Sequence, residues 1–426
     1  MSLPQEIPSP PTAPRVLLLV PTTTYKVAAF MDAAFALGIQ VVIGSEKERA
    51  LEAETSGKTL TVNYLKPDQA ADRIAAFDRR WPLDAIVGTD DETVLLAATA
   101  SMRLGLPHNS PQAIAASRDK ERTRELQRKA GMGTPGFRRV LFDDDLETAS
   151  LDVRYPCVIK PVFLSAGRGV MKADNPEQFL AAFDRIGKIV RRPALSRRGG
   201  KSAKYLLVED YLPGDEVSLE GLLTDGRFRL LALFDKPEPM EGPAFQETMF
   251  VTPSRLPAGV QDAIAAEAEA ACAALGITHG PVHVELRIHN GVPRLLELAA
   301  RTIGGLCSRS LRFGTGCSLE ELVLRHAVNF DTRPGDESGE ASGVLMLPME
   351  RSGILKEVRG RAEAEQVPGI TELTVTLPLG SDVVPPPEGN SYLGFLFARA
   401  DTPAGVEAAL RTAWGKLEIV LAEPAC

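Results

Sequence analysis

The sequence predicts two fold classes in one chain, an α/β domain followed by a larger α+β region in which antiparallel strands dominate. Two observations support this prediction. From residue 15 to about 110, short apolar runs alternate with helix-length segments, and from about 205 onward apolar and polar residues alternate along strand-length segments. A chain of 426 residues is long enough for roughly two to three domains with cores of their own.

The N-terminal elements are predicted from apolar runs. The continuous run at 15–20 is typical of a strand buried on both faces of a parallel sheet. It is followed by Pro-Thr-Thr-Thr-Tyr-Lys and not by Gly-x-Gly-x-x-Gly, which argues against a dinucleotide site. Further strands are predicted at 40–43, 59–63 and 85–88, with helices at 25–37, 67–80 and 91–104. We therefore predict an open α/β domain over 15–110, after a disordered Pro-rich tail at 1–14.

Three predicted segments follow: linking helices at 111–133, a small subdomain at 134–204, and a larger, mostly antiparallel domain at 205–426. Ser110 and Pro111 suit a helix cap and first turn. The small subdomain is predicted to contain a helix at 176–190 and to end in a basic, Gly-rich stretch at 191–204. We interpret this stretch as a solvated loop, with a nucleic-acid contact as the less favoured alternative. The larger domain is predicted to contain helices at 261–275 and 319–327.

Composition and charge narrow the function classes. The net charge is −8, so the chain has no general field that attracts nucleic acid or anionic membranes. No apolar run is long enough for a membrane span or for the core of a signal peptide. The five cysteines lack Cys-x-x-Cys spacing, which favours free thiols in a reducing compartment. We expect a cytoplasmic protein that binds neither nucleic acid nor membrane.

A first candidate site follows the predicted strand that ends at Lys160. The next loop contains Ser165, Gly167 and Gly169. Small residues let backbone N–H groups approach a phosphate closely, and a lysine adds a positive charge. The Walker pattern is absent. A plain hairpin with glycines at positive φ explains the same residues equally well.

A second candidate site is the segment 206–222. A predicted strand runs into Glu209 and Asp210, turns at a Pro-Gly pair and leaves with Glu216. Exposed backbone between strands can hydrogen-bond an adenine edge, and a carboxylate can accept hydrogen bonds from ribose hydroxyls. Acidic residues beside a Pro-Gly turn are also common on solvated surfaces, so this segment alone is weak evidence.

The strongest local pattern is a hairpin at 280–305 with a His-Asn-Gly turn. Val282, Val284, Leu286 and Ile288 alternate with polar residues, which predicts one buried and one polar face.

The length of the turn decides where two glutamates of this hairpin point. With a two-residue turn, Glu285 would pair with Leu296, and Glu297 would face the other way. With a three-residue loop and Gly291 in the left-handed conformation, His283 would pair with Glu297, and both glutamates would share the polar face. Only the second register keeps the apolar face consistent, so we predict the three-residue loop.

Two carboxylates on one face repel unless a cation lies between them. Mg²⁺ accepts one or two carboxylates together with phosphate oxygens, so Glu285 and Glu297 are candidate metal ligands. Arg301, on the same strand parity as Glu297, could hold a carboxylate or phosphoryl oxygens. The alternative is an exposed sheet face on which glutamates and arginine form salt bridges.

In chain order the candidate segments are Arg118-Asp119-Lys120, the strand ending at Lys160, the loop 165–169, the segment 208–216 and the hairpin 283–305. This ordered set resembles the ATP-grasp superfamily of carboxylate–amine ligases, over most of the chain from about 15 to 421. The resemblance implies an ATP-grasp fold with an N-terminal α/β domain, a lid subdomain at 134–204 and a C-terminal catalytic domain at 205–426. It also implies the cofactors ATP and Mg²⁺, with Mn²⁺ as an alternative ion.

The resemblance further implies roles for individual residues. The nucleotide would be bound by Lys120, Lys160, Ser165, Gly167, Gly169, Glu209, Asp210, Tyr211, Leu212, Glu216 and Lys236. The metal ions would be held by Glu285 and Glu297. Lys160 and Arg301 would act in catalysis. Substrate contacts are expected from Glu247, His283, Arg301, Gly304 and Gly305.

The implied reaction is the ATP-dependent coupling of a small-molecule carboxylate to an amine, as in relatives that resemble L-amino-acid ligases. The family often has Asn two residues after the second metal-binding glutamate, where this chain has Ala299. That departure keeps a catalytically weak ATP-binding module as an alternative. A bicarbonate- or ribosylamine-using enzyme of the same superfamily is the other alternative, and a homodimer is a family-level expectation.

Overall fold

The computed structural model describes residues 13–22, 24–47, 59–314, 316–333, 339–389 and 391–423. All but the last two residues of the predicted tail at 1–14 lie outside the described residues. The chain forms two compact units. One comprises Met1–Pro107 with Glu320–Arg333, and the other comprises His108–Leu319 with Pro334–Cys426.

The first unit contains a parallel sheet of four strands in the order β3-β2-β1-β4. Its strands are β1 (Arg15–Leu19), β2 (Gln40–Ser45), β3 (Thr59–Thr61) and β4 (Ala85–Gly88). Its helices are α1 (Val27–Leu37), α2 (Pro67–Asp78) and α3 (Val94–Leu104). The predicted open α/β layer is therefore confirmed.

Both faces of the central strand β1 are buried. Val16 and Leu18 contribute to one apolar core, whereas Leu17 and Leu19 contribute to the core on the opposite face. This two-sided burial explains why the first strand is an unbroken apolar run instead of an alternating one.

Two helices occupy the predicted linking segment, α4 (Pro111–Ser117) and α5 (Lys120–Lys129). The Ser110 side chain accepts a hydrogen bond from the Ala113 N–H and caps α4. The extended backbone of Asp119 separates α4 from α5. Its side chain accepts a hydrogen bond from the Arg122 N–H and caps α5. The second cap places Lys120 at the first position of its helix.

A small antiparallel sheet follows, in the order β5-β8-β6-β7. Its strands are β5 (Phe137–Leu141), β6 (Cys157–Lys160), β7 (Met171–Ala173) and β8 (Tyr205–Asp210), and the associated helices are α6 (Leu146–Leu151), α7 (Pro176–Val190) and α8 (Pro193–Gly199). The predicted boundary at 204–205 is wrong, because β8 pairs with β5 and β6. Its residues alternate like those of the large sheet, and only the pairing reveals which sheet they join.

The predicted solvated loop at 191–204 is also wrong. Helix α8 and a 3-10 helix at Gly200–Lys204 occupy this stretch. Pro193 suits the first helical turn, and Leu195 is buried in a small cluster with Leu164 and Ile189. The buried Leu195 side chain anchors this helix. The glycines and charged residues around it are typical of a loop, which is why the sequence predicted one.

The large sheet contains eight strands of the described chain in the order β13-β12-β9-β10-β11-β14-β18-β16, all antiparallel to their neighbours. They are β9 (Asp215–Thr224), β10 (Arg227–Asp235), β11 (Met249–Thr252), β12 (Gly280–His289), β13 (Val292–Ala299), β14 (Ala341–Met346), β16 (Ile370–Val375) and β18 (Gly394–Ala400). The expected antiparallel character of the C-terminal region is confirmed.

A further sheet has the order β17-β15-β19, formed by β15 (Gly353–Arg359), β17 (Asp382–Val383) and β19 (Glu418–Ala422). The remaining helices are α9 (Ala258–Leu275), α10 (Leu319–Ala327), α11 (Arg361–Glu365) and α12 (Pro403–Trp414), with a 3-10 helix at Cys307–Ser310. Among the residues that the structure describes, no helix has the length and apolar character needed to cross a membrane.

Candidate active site

The hairpin β12–β13 carries both predicted metal ligands, and its turn differs from the prediction. His289 pairs with Val292, so Asn290 and Gly291 alone form the turn. Both have positive φ, 51° and 74°, as a two-residue turn of the I′ type requires. The predicted three-residue loop is wrong, because Asn290 shares the left-handed conformation that we assigned to Gly291 only.

With the two-residue turn alone, Glu285 and Glu297 would lie on opposite faces of the hairpin. A β-bulge brings them back to the same face. Leu286 pairs with Leu295, whereas the next pair is Glu285 with Glu297, so Leu296 is the extra residue. His283 consequently pairs with Ala299 and not with Glu297. Directly paired residues have side chains on the same face of a sheet. Glu285 and Glu297 therefore share one face, by a route that differs from the predicted register.

Lys120 lies against the second of these glutamates. Its Nζ is 3.1 Å from Glu297 Oε1 and donates to the Leu164 carbonyl at 2.6 Å. Lys120 thus joins α5, the loop after β6 and strand β13. Its charge neutralises a half-buried carboxylate that faces Glu285.

Lys160 and Glu209 belong to a buried ionic network. Lys160 Nζ lies 2.6 Å from Glu209 Oε2, and the Arg124 guanidinium donates to both oxygens of the same carboxylate. Burial alone would raise the pKa of Glu209, but Arg124 and Lys160 lower it to about 2. Glu209 is therefore ionised and holds two cations in place.

A second ionic cluster surrounds Lys236. Its Nζ lies 2.7 Å from a carboxylate oxygen of both Glu216 and Glu247, and 3.6 Å from Glu285 Oε1. One carboxylate oxygen from each of these three glutamates lies within 4.8 Å of the others. Burial alone would lower the pKa of Lys236, but the three carboxylates raise it well above its ordinary value. Lys236 is accordingly a permanent cation.

His283 is bound on both sides. Its Nδ1 lies 2.6 Å from Glu220 Oε1, and its Nε2 lies 3.4 Å from Glu285 Oε1. Burial alone would lower the pKa of His283, but Glu220 and Glu285 raise it to about 9. The other oxygen of Glu220 accepts from the Ile303 N–H at 3.1 Å, in the segment after Arg301.

The glycine loop approaches another segment very closely. Gly167 has φ of 65°, and a Cβ there would lie 2.8 Å from the Phe245 carbonyl oxygen. Gly169 also has positive φ, at 70°. The positive φ favours glycine at both positions. At Gly167 the close approach of the Phe245 carbonyl is a second reason.

The remaining predicted residues lie at the ends of these elements. Asp210 ends β8, and Tyr211 and Leu212 lead from it toward β9. Arg287 donates to the Tyr211 hydroxyl at 2.7 Å, to the Leu212 carbonyl at 3.2 Å and to Glu216 Oε2 at 3.3 Å. Arg301 donates to the Thr302 carbonyl at 3.0 Å. Ser165, Gly304 and Gly305 lie in loops, Gly305 with φ of 60°.

Three buried residues of this region were missed from the sequence: Arg124, Glu220 and Arg287. Arg124 follows Lys120 by one helical turn, which is a signal that helix periodicity offers. Glu220 and Arg287 alternate with apolar residues along β9 and β12, so each looked like an ordinary residue of a polar face. Their partners come from distant segments and are visible only after folding.

The donor set fits a hard divalent cation. Glu285 and Glu297 offer carboxylate oxygens on one face, which are the ligands that Mg²⁺ prefers. Ala299 is buried and offers no ligand atom. Lys120 and Lys236 lie within contact distance of Glu297 and Glu285, and Lys160 pairs with Glu209; positive groups of this kind are what binding of a polyphosphate would require.

Comparisons with known proteins concern the fold and its domains. Residues 153–310 match the model of the ATP-grasp domain, residues 31–108 match the ATP-grasp N-terminal domain, and residues 345–422 match L-amino acid ligase C-terminal domain 2. The solved structure of L-amino acid ligase from Bacillus licheniformis has a TM-score of 0.83 and 23% identity, covering 96% of this chain and 99% of that chain.

Two curated relatives match a smaller part of the chain, and the chain spans only part of their own length. Alanine–anticapsin ligase of Bacillus subtilis (strain 168) is 27% identical over 276 residues, covering 62% of this chain and 58% of its own length. Carnosine synthase 1 of Gallus gallus is 29% identical over 320 residues, covering 70% of this chain and 34% of its own length.

The chain contains regions that match an ATP-grasp domain and an ATP-grasp N-terminal domain, and the predicted ATP-grasp fold is confirmed. Its residues 345–422 resemble a domain of L-amino acid ligases, and its fold resembles that of one of their solved structures.

Proposed function

We propose that this chain is an ATP- and Mg²⁺-dependent ligase that joins a carboxylate to an amine and releases ADP and phosphate. The observation that supports this most directly is the bulged pairing of Glu285 with Glu297 beside Lys120 and Lys236. Such a face can hold a cation and a polyphosphate together, which is what phosphoryl transfer needs.

The proposed reaction has two steps. A substrate carboxylate oxygen attacks the γ-phosphorus of ATP, and the bond to the ADP oxygen breaks, giving an acyl phosphate. The amine then attacks the acyl carbon, phosphate leaves, and the amine loses a proton to form the amide. Mg²⁺, held by Glu285 and Glu297, would neutralise phosphate charge.

Chain residues would supply the remaining functions. Lys120 and Lys160 would bind phosphate oxygens, and Arg301 would hold the acyl phosphate. Ser165, Gly167 and Gly169 would cover the phosphates and exclude water, which would otherwise hydrolyse the intermediate. The backbone of Asp210 to Leu212 would bind adenine.

We further propose that the substrates are amino-acid-like. Support comes from the L-amino acid ligase C-terminal domain and from relatives named for joining alanine to anticapsin or for making carnosine. Glu247 lies in the Lys236 cluster and would bind a substrate amine. In this proposal the protein acts in the cytoplasm, consistent with free thiols at Cys157, Cys272, Cys307 and Cys317.

A phosphate-release screen tests the substrate class. MgATP is supplied with pairs of amino acids, with single carboxylates, and with bicarbonate. Release that requires both an amino-acid carboxylate and an amine supports the proposal. Release that depends on bicarbonate or a ribosylamine identifies the alternative enzyme class, and ATP binding without release in any mixture identifies a weak binding module.

Glu297→Gln tests the metal assignment. We expect ADP formation to be abolished while the fold remains intact, because the substitution keeps the side-chain size and removes the charge. Steady-state ADP release and circular dichroism measure the two properties. Glu125→Gln is the matched control, because Glu125 lies exposed on α5 and forms a surface ion pair with Arg122. Near-normal turnover in Glu297→Gln would falsify the metal assignment.

A further inference from the structure

Arg124 has an unusual place in the fold. It is 1% exposed, and among the described residues it is the largest side chain that is fully buried. A guanidinium has five N–H groups, and each needs an acceptor when it is buried. The acceptors here are Glu209 Oε1 at 2.8 Å, Glu209 Oε2 at 3.3 Å, Gln127 Oε1 at 2.9 Å, the Leu295 carbonyl at 3.1 Å and the Leu296 carbonyl at 2.9 Å.

Two of these acceptors belong to the β-bulge. Leu296 is the residue without a partner on β12, and Leu295 precedes it. A bulge disrupts the ladder locally, so nearby carbonyls lose regular partners. A buried carbonyl without a donor is costly, and Arg124 supplies a donor to each. The guanidinium thus stabilises the bulge itself.

The bulge decides which face carries Glu297. Beyond the pair Leu286–Leu295, a regular ladder would place Leu296 opposite Glu285 and Glu297 opposite Val284. Glu297 would then lie on the face that Val284 shares, which is buried. The bulged register instead gives the pairs Glu285–Glu297 and Val284–Leu298. With the observed two-residue turn, the bulge is what places the two glutamates on one face.

The same helix contacts the strand twice. Lys120 and Arg124 are one turn apart on α5, where they share a helix face. Lys120 contacts the Glu297 carboxylate, and Arg124 contacts the backbone just before it. The other edge of the Arg124 guanidinium binds Glu209, which also holds Lys160. One buried cation therefore links the bulge to β8, whose Glu209 also pairs with Lys160.

We propose that Arg124 is a positioning residue that fixes the bulge at Leu296 and thereby keeps Glu297 on the face of Glu285. This inference rests on the proposed function, because it gives Glu297 a metal to bind. Arg124 itself contacts neither metal nor substrate in this account. Its role is to select the strand register in which the metal ligands converge.

The strand register suggests an experiment in which a deletion rescues the loss of Arg124. Deleting Leu296 removes the extra residue, so Glu297 follows Leu295 directly and meets Glu285 in a regular ladder. The downstream pairs remain as they are. The full-length chain carrying Arg124→Met together with this deletion should therefore regain the metal site without Arg124. A role for Arg124 in general stability would not be rescued in this way.

The test measures Mn²⁺ binding in the presence of ADP by electron paramagnetic resonance, with thermal unfolding in parallel. Arg124→Met is expected to weaken Mn²⁺ binding by about 10- to 100-fold, as loss of a residue that orients a ligand typically does. The deletion alone and the double variant are expected to bind Mn²⁺ within about threefold of the parent chain, because their register holds Glu297 without a bulge. Arg139→Met, which removes a half-exposed guanidinium fork from Glu121, should leave binding unchanged.

The outcomes separate the two proposals. If the parent chain binds no Mn²⁺, the metal assignment itself fails. If the parent chain binds Mn²⁺ and folded Arg124→Met binds it equally well, the positioning role is wrong and the proposed function stands. Failure of the folded double variant to recover binding also overturns the positioning role. If Arg124→Met does not fold, Arg124→Lys takes its place, because one ammonium cannot reach both carbonyls and both carboxylate oxygens.

Discussion

Glu209 illustrates how single residues acquire roles through their partners. The sequence suggested an acidic residue near an adenine-binding strand, but the structure buries this carboxylate between Arg124 and Lys160. Removing one partner of such a network leaves an uncompensated buried charge, which typically costs 3–5 kcal/mol. At the residue scale, the chemistry of each charged group was readable from the sequence, whereas its pairing was not.

The depressed pKa of Glu209 predicts a pH dependence of stability. Its folded-state pKa of about 2 lies below the unfolded value, so its contribution is present above about pH 4.5 and is lost as the pH falls toward 2. This shift corresponds to about 3 kcal/mol. The stability advantage of the parent chain over Glu209→Gln, measured by urea unfolding, should therefore hold from pH 6 to about pH 4.5 and then shrink steadily toward pH 2. An advantage that stays constant over this range would contradict the assignment.

The hairpin β12–β13 shows what can be predicted for a single element. The alternation at 282–288 predicted the strand and its buried face, and both are observed. The predicted turn was wrong because the apolar pattern was assumed to run through an unbroken ladder. Leu295 and Leu298 pair with Leu286 and Val284 and so lie on one face although they are three residues apart, because the bulge shifts the alternation by one residue. The sequence also fits an unbroken alternation through Leu296 and Leu298, so only the structure reveals the bulge.

The two-residue turn predicts a specific cost at Gly291. A Cβ there meets no atom within 4 Å, but φ is 74°, so the Gly291→Ala variant suffers backbone strain and no clash. We expect a loss of about 1 kcal/mol in the free energy of unfolding, without loss of Mn²⁺ binding. Gly259→Ala makes the same chemical change in helix α9 at ordinary φ and open space, and should be neutral or slightly stabilising. Equal losses in both variants would argue against the turn.

At the scale of the whole molecule, each of the two compact units is built from two separate stretches of the chain. Residues Glu320–Arg333 belong to the N-terminal unit, although they follow the hairpin β12–β13 in sequence. Val323 and Leu324 of α10 are buried in the core that also contains Val16 and Leu18. The helix at 319–327 was predicted with its observed bounds, but its place in the N-terminal unit was not.

This arrangement predicts the effect of one core substitution. Leu324→Ala should lower the free energy of unfolding of the N-terminal unit by about 3 kcal/mol, because it creates a cavity in that core. Hydrogen exchange of the β1 amides reports the stability of this unit. Leu65→Ala, at a side chain that is 65% exposed in the same unit, should change it by less than about 0.5 kcal/mol. Unchanged β1 exchange in Leu324→Ala would show that the helix adds little to this core.

The sequence by itself determined the fold class, the order of the segments proposed to bind phosphate and metal, and most helices and strands, because local periodicity and turn chemistry encode them. The tertiary structure alone decided the bulge at Leu296, the pairing of β8 with the small sheet, and the partners of Arg124, Glu209 and Lys236. These features depend on contacts between segments far apart in the chain. A buried charge or carbonyl takes its partner from whichever segment the fold brings near, and no local pattern specifies that segment.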